Sequence, residues 1–141
     1  MYMQGELMKK LWLLILIVLM FPLFANAKET MILYDQYKTP FFGGGQQISK
    51  SYYLKESLTR VDSKNPNLLQ VKTYEKVTNR EGIIEYRVTY QINCETRKFT
   101  IVRHWSTGFG EDTGLMVDGK WSPVSDYKEM VKLMKLICPK K

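Results

Sequence analysis

"IIEYRVTYQINCETRKFTIVRHW" (residues 83–105) alternates apolar and polar side chains for most of its length. Ile84, Tyr86, Val88, Tyr90, Ile92 and Cys94 share one phase, and Glu85, Arg87, Thr89, Gln91 and Asn93 share the other. Successive side chains of a strand point to opposite faces, so a period of two predicts a half-buried strand. After a short polar turn, Phe99, Ile101 and Trp105 form the apolar set of a second strand. The whole stretch therefore reads as a long antiparallel hairpin covered on one side. Arg103 interrupts the apolar set and is expected to snorkel or to lie near a sheet edge. His104 falls on the polar face, opposite Arg87 if the turn is tight.

Working outward, "NLLQVKTYEKV" (67–77) is another alternating strand, set off by "SKNPN" before it and "TNREG" after it. "TMILYDQY" and "SKSYYLKESLTRV" (49–61) are weaker strand signals, with "KTPFFGGGQQ" (38–47) expected as a flexible loop between them. "GLMVDGKWSPV" suggests a short hairpin turning at Asp118 and Gly119. In "SDYKEMVKLMKLICPKK" the period changes: Tyr127, Met130, Val131, Met134, Ile137 and Cys138 recur at three- and four-residue spacing. Lys128, Glu129, Lys132 and Lys135 face away. Ser125 or Asp126 can cap this helix, and Pro139 ends it. The expected fold class is α+β: an antiparallel sheet of about six strands with one C-terminal helix packed on it.

After "MYMQGEL" (1–7) comes "MKKLWLLILIVLMFPLFANA" (8–27), in which two lysines precede an apolar run followed by Ala25, Asn26 and Ala27. Positive n-region, apolar h-region and A-x-A site predict a secretory signal peptide, residues 1–27, cut between Ala27 and Lys28. The apolar run is shorter than the ~20 residues of a spanning helix, so no stable membrane insertion is expected after cleavage. Met8 is the more typical opening for such a signal, and translation is expected to start there. No cysteine follows the cut, so a lipidated N-terminus is excluded for the product. Residues 28–141 would form one domain, with a net charge of +6 once Lys9, Lys10 and Glu6 are lost from a chain of net +7.

The chain has two cysteines, Cys94 and Cys138. In an exported protein an even count predicts pairing. Zinc would need more ligands than one histidine supplies, and a redox pair would be closely spaced. The two thiols are therefore expected to form a structural bridge from the sheet face to the helix stripe. No cofactor and no metal are expected.

A hydrolytic site needs a nucleophile with a base, paired carboxylates or a metal. His104 stands alone. Glu111 and Asp112 lack the spacing of a calcium loop and read as a polar loop. "FGGGQQ" lacks the Lys-Ser/Thr of a phosphate loop. The expectation is no enzyme. Lys72, Lys76, Arg87, Arg97, Lys98 and Arg103 are candidates for a basic binding face, and lysines 128, 132, 135, 140 and 141 line the helix and tail. Such a surface attracts acidic partners: anionic lipids, sulfated glycans or acidic proteins of the envelope or a host. Nucleic acid lacks any supporting motif. Tyr34, Tyr37, Phe41 and Phe42 could form a contact patch, could provide an edge for a homodimer, or could fold over the core.

"SYYLKESLTRV", "LQVKTYEKV", "EYRVTYQINCETRKFTIV", a Gly-rich loop, "WSPV" and a short helix ending in cysteine resemble, in that order, the surface-adhesin protein E-like family. Its most specific elements here are Cys94 with Arg97, then Trp121, Ser122 and Pro123, then Cys138. The resemblance implies a small exported Gram-negative protein with an antiparallel sheet and a C-terminal helix. The family includes a surface lipoprotein that binds host matrix and plasma proteins and can dimerise. This chain departs from the pattern in lacking a lipid-bearing cysteine, in Asn93 where aspartate is common, and in Tyr74 where tryptophan is usual. The expected function is a periplasmic, non-catalytic binding protein. The alternative is a surface or secreted adhesin for host extracellular-matrix or plasma proteins.

Overall fold

The computed structural model describes residues 28–112 and 116–140. The expected signal peptide, with Ala27, lies outside them, as do Gly114, Leu115 and Lys141; Lys28 is exposed at their start. Eight strands follow in order: β1 (Met31–Pro40), β2 (Gln46–Leu54), β3 (Thr59–Asp62), β4 (Asn65–Asn79), β5 (Gly82–Asn93), β6 (Lys98–Ser106), β7 (Gly110–Asp112) and β8 (Ser122–Pro123). One helix, α1 (Lys128–Ile137), closes the order. The sheet runs β1-β2-β4-β5-β6-β7, entirely antiparallel, with β3 added to β4 and β8 to β6. It curls into a half-barrel, and α1 packs within the curl.

The β4–β5 ladder shows why these residues pair this way. Leu69, Val71, Thr73, Glu75 and Val77 of β4 oppose Ile92, Tyr90, Val88, Tyr86 and Ile84 of β5, so both apolar phases share the inner face. Val71 and Ile92 have no exposed surface. Onto them α1 lays Met130, Leu133, Met134 and Ile137, of which Leu133 is fully buried. Fully burying one such side chain contributes about 1.5–3 kcal/mol. The Cys94–Cys138 disulfide, with Cα atoms 5.8 Å apart, joins the residue after β5 to the residue that caps α1.

Several expectations change. Residues 38–40 and 46–47 are paired strand rather than loop. Only residues 41–45 turn, closed by Phe41 N–H donating to Gly45 O (3.1 Å) and Gly44 N–H to Phe41 O (2.9 Å). The lone hairpin expected around Asp118 and Gly119 does not form among the described residues; Ser122 and Pro123 instead pair with Phe99 and Lys98 of β6. Glu111 and Asp112 belong to strand β7 rather than a loop. Ser125 and Asp126 lie in a 3₁₀ turn, and Tyr127 takes the N-cap position. Tyr127 packs its ring edge-on to Phe99 at 5.2 Å, so an aromatic contact stands where a polar cap was expected. Lys132 does not face away: it pairs with the buried Asp35 of β1.

Candidate functional site

A register shift in β6 decides what the outer face of the sheet carries. Thr89 pairs with Arg103 but the next residue, Tyr90, pairs with Ile101, leaving Val102 as an extra residue. A bulge of one residue exchanges the faces of everything beyond it. Phe99 and Ile101 therefore keep the inner face, while Arg103 and Trp105 turn outward and His104 turns inward. Trp105, expected with the core, pairs opposite Arg87, and His104 pairs with Val88, its ring 6.1 Å from Tyr86. Arg103 needs no snorkelling, because it lies on the outer face; the expected place near a sheet edge holds, since β7 and β8 pair with β6 only on either side of residues 100–103.

The outcome is a row of cations across the middle strands. Lys72 of β4 lies opposite Thr89 of β5, which lies opposite Arg103 of β6. One pair along, Tyr74, Arg87 and Trp105 form the parallel row. The Arg87 guanidinium sits 5.1 Å from the Trp105 ring centroid, a cation–π arrangement that fixes both groups at the surface. Lys72, Arg87, Arg103 and Trp105 line one groove of about 600 Å³, with Met31 and Leu54 supplying apolar wall.

Acidic residues temper this face. Glu111 pairs with Arg103, and Glu85 accepts a hydrogen bond from the Tyr74 hydroxyl at 2.7 Å. Burial, reinforced by that bond, pushes the Tyr74 phenol up to about 12. Around the groove, Lys50 lies beside Lys76 across β2 and β4, and Lys38 and Lys98 extend the same face along β1 and β6. The outer face as a whole stays basic.

The six candidate basic residues are thus not one cluster. Lys72, Arg87 and Arg103 meet in the groove. Lys76 adjoins it on β4 opposite Glu85. Lys98 sits at the far end, opposite Asn93 and Pro123. Arg97 lies in the β5–β6 turn with φ of 55°, beside the disulfide, in a separate cavity of about 460 Å³. Its carbonyl accepts the Val124 amide (2.9 Å), so the turn after Cys94 and the segment after Trp121 are tied together.

Sequence reasoning missed Trp105 as an outer-face residue, although one signal of the bulge was present: Arg103 interrupts the apolar set of "FTIVRHW" directly after the extra residue Val102. The aromatic residues near the glycines divide: Phe42 is fully exposed, Phe41 half-buried, Tyr34 packs against the core, and Tyr37 lies on the inner face. Among the described residues no group of His, Cys, Asp and Glu side chains is arranged to hold a metal ion. No helix among them is long and apolar enough to cross a membrane. No protein-family model, curated protein or solved structure matches this chain.

Proposed function

We propose that the protein is exported to the periplasm and acts by binding, its outer sheet face receiving an acidic partner from the cell envelope. The observation that carries this reading is the Arg87–Trp105 pair held open between Lys72 and Arg103. Arginine and tryptophan are the side chains most enriched where binding energy concentrates, since each offers a large contact area with a directed polar group. The surrounding lysines add long-range attraction for an anionic surface. The resemblance to the surface-adhesin protein E-like family supports a binding role and an exported location. The second reading, an adhesin at the surface or in the medium, draws on the same resemblance.

Fractionation of the native cells, with external protease applied to intact cells, tests the location. The folded product should resist protease and be released by osmotic shock. Digestion in intact cells, or recovery from the medium, would favour the adhesin. An Arg87→Ala/Arg103→Ala variant should bind anionic vesicles or heparin at least several-fold more weakly and with a shallower salt dependence. Unchanged binding by this variant would defeat the outer-face reading in either location.

A further inference from the structure

The inner face holds a second feature of different chemistry. Past the apolar core, the curl between β1, β2, β4, β5 and the first half of α1 encloses a half-open cavity of about 340 Å³. That is within the range of small-molecule sites, roughly 300–1,000 Å³. Its walls are hydroxyl-rich and aromatic: Tyr34, Tyr37, Ser51, Thr73 and Tyr90. Ser51 and Thr73 are buried, as is the neighbouring Ser49.

Glu75 reaches into this cavity from the core-facing phase of β4, where Leu69, Val71 and Val77 are its neighbours in phase. The Ser49 hydroxyl donates to its carboxylate, and the Tyr37 hydroxyl donates to the same oxygen at 3.4 Å. Neither donor carries a positive charge. Among the described residues no cation pairs with Glu75. The other charges lining the cavity cancel in number: Lys132 pairs with Asp35, and Lys128 and Glu129 add one charge of each sign without forming an ion pair. Glu129 also stands in the first turn of α1, where it counters the positive end of the helix. The cavity therefore keeps one negative charge, away from the basic outer face. Glu75 is only partly buried, and a carboxylate there whose partners are two neutral hydroxyls leaves its charge open to a cationic ligand.

We propose that this cavity binds a small organic cation, an ammonium or guanidinium compound, with Glu75 as its counter-ion and the tyrosine rings as its walls. Tyrosine faces attract a cation electrostatically, and hydroxyls of Ser51, Thr73 and Tyr90 can accept its N–H groups. Burial raises the Tyr34 and Tyr90 phenols, and the nearby Glu75 and Glu129 charges add to the rise, which accords with a negative potential in the cavity. This site is independent of the outer-face reading, since it uses the opposite side of the sheet.

The test titrates the ¹⁵N-labelled protein with agmatine, which carries both cationic groups, against n-butanol and inorganic phosphate. Agmatine should give saturable shifts at the amides of Ser51, Thr73 and Val88 that butanol and phosphate do not give. Glu75→Gln should weaken binding on the order of tenfold or more, as expected for a charge-assisted contact. Arg87→Ala on the outer face should leave it unchanged. The proposal is overturned if agmatine gives no saturable shift at millimolar concentration, if Glu75→Gln binds equally well, or if phosphate binds in its place. Should Glu75→Gln not fold, the wild-type protein decides. Agmatine must then raise its melting temperature and n-butanol must not.

Discussion

Replacing both cysteines with alanine removes the one covalent link between sheet and helix, and its cost follows from the chain it closes. Cys94 and Cys138 are 44 residues apart. Chain-entropy arguments assign a loop of that length about 4 kcal/mol of stabilisation. A domain of this size loses about 4 °C in Tm for each kcal/mol, so the double variant should melt roughly 15 °C lower. The helix should then detach first, because α1 ends at the bridge while its earlier turns are held by Met130, Leu133 and Met134 with the partly exposed Lys132–Asp35 pair. Urea unfolding followed by far-ultraviolet circular dichroism, together with calorimetry, measures both effects. Wild-type protein treated with a reductant should reproduce the double variant. A change in Tm within about 3 °C for variant and reduced protein alike would refute the reasoning, since the bridge would then constrain little of the unfolded chain.

Other expectations are of different kinds. Leu133→Ala empties a fully buried position among Val71, Ile92 and Met130 and should cost about 2–5 kcal/mol by denaturant unfolding. Lys132→Ala leaves the buried Asp35 without its cation and should cost about 1–2 kcal/mol, a range held down because Lys132 is half exposed and screened. Tyr74 is raised from 10.0 to about 12, so its stabilising contribution is complete below pH 10 and is lost as pH rises through about 12. Tyr34 and Tyr90 are raised as well, and alkaline unfolding watched by tyrosinate absorbance should show these phenols ionising later than ordinary ones.

The hairpin, the β4 strand and the C-terminal helix were legible because their residues repeat with a clear period and one face of each is buried. The bridge was legible too, since Cys94 and Cys138 fall on faces that must meet. Leu133 escaped the expected stripe although it is the helix residue most deeply buried. A stripe over 100° wide includes it, whereas a list built outward from Tyr127 passes it by. Of the three register shifts among the described strands, those at Tyr34 in β1 and Val102 in β6 left little trace in the sequence, Arg103 in the apolar phase being the one mark. They nonetheless decide which face carries Tyr37, His104 and Trp105. Residues 38–47 read as a loop because of Pro40 and three glycines, yet an edge strand tolerates proline where its N–H faces away from the sheet. Glu75 had a visible signal: it is the one charge in the apolar phase of "LQVKTYEKV", and a charge in a core phase calls for a partner.

The outer face can be tested most directly by mapping a heparin tetrasaccharide onto the ¹⁵N-labelled protein by chemical shift. Salt-sensitive, saturable shifts are expected at Lys72, Thr89, Arg103 and the Trp105 indole N–H, with the inner face silent. Shifts spread evenly over all lysines, confined to the Arg97 turn, or absent at low salt would contradict the outer-face reading.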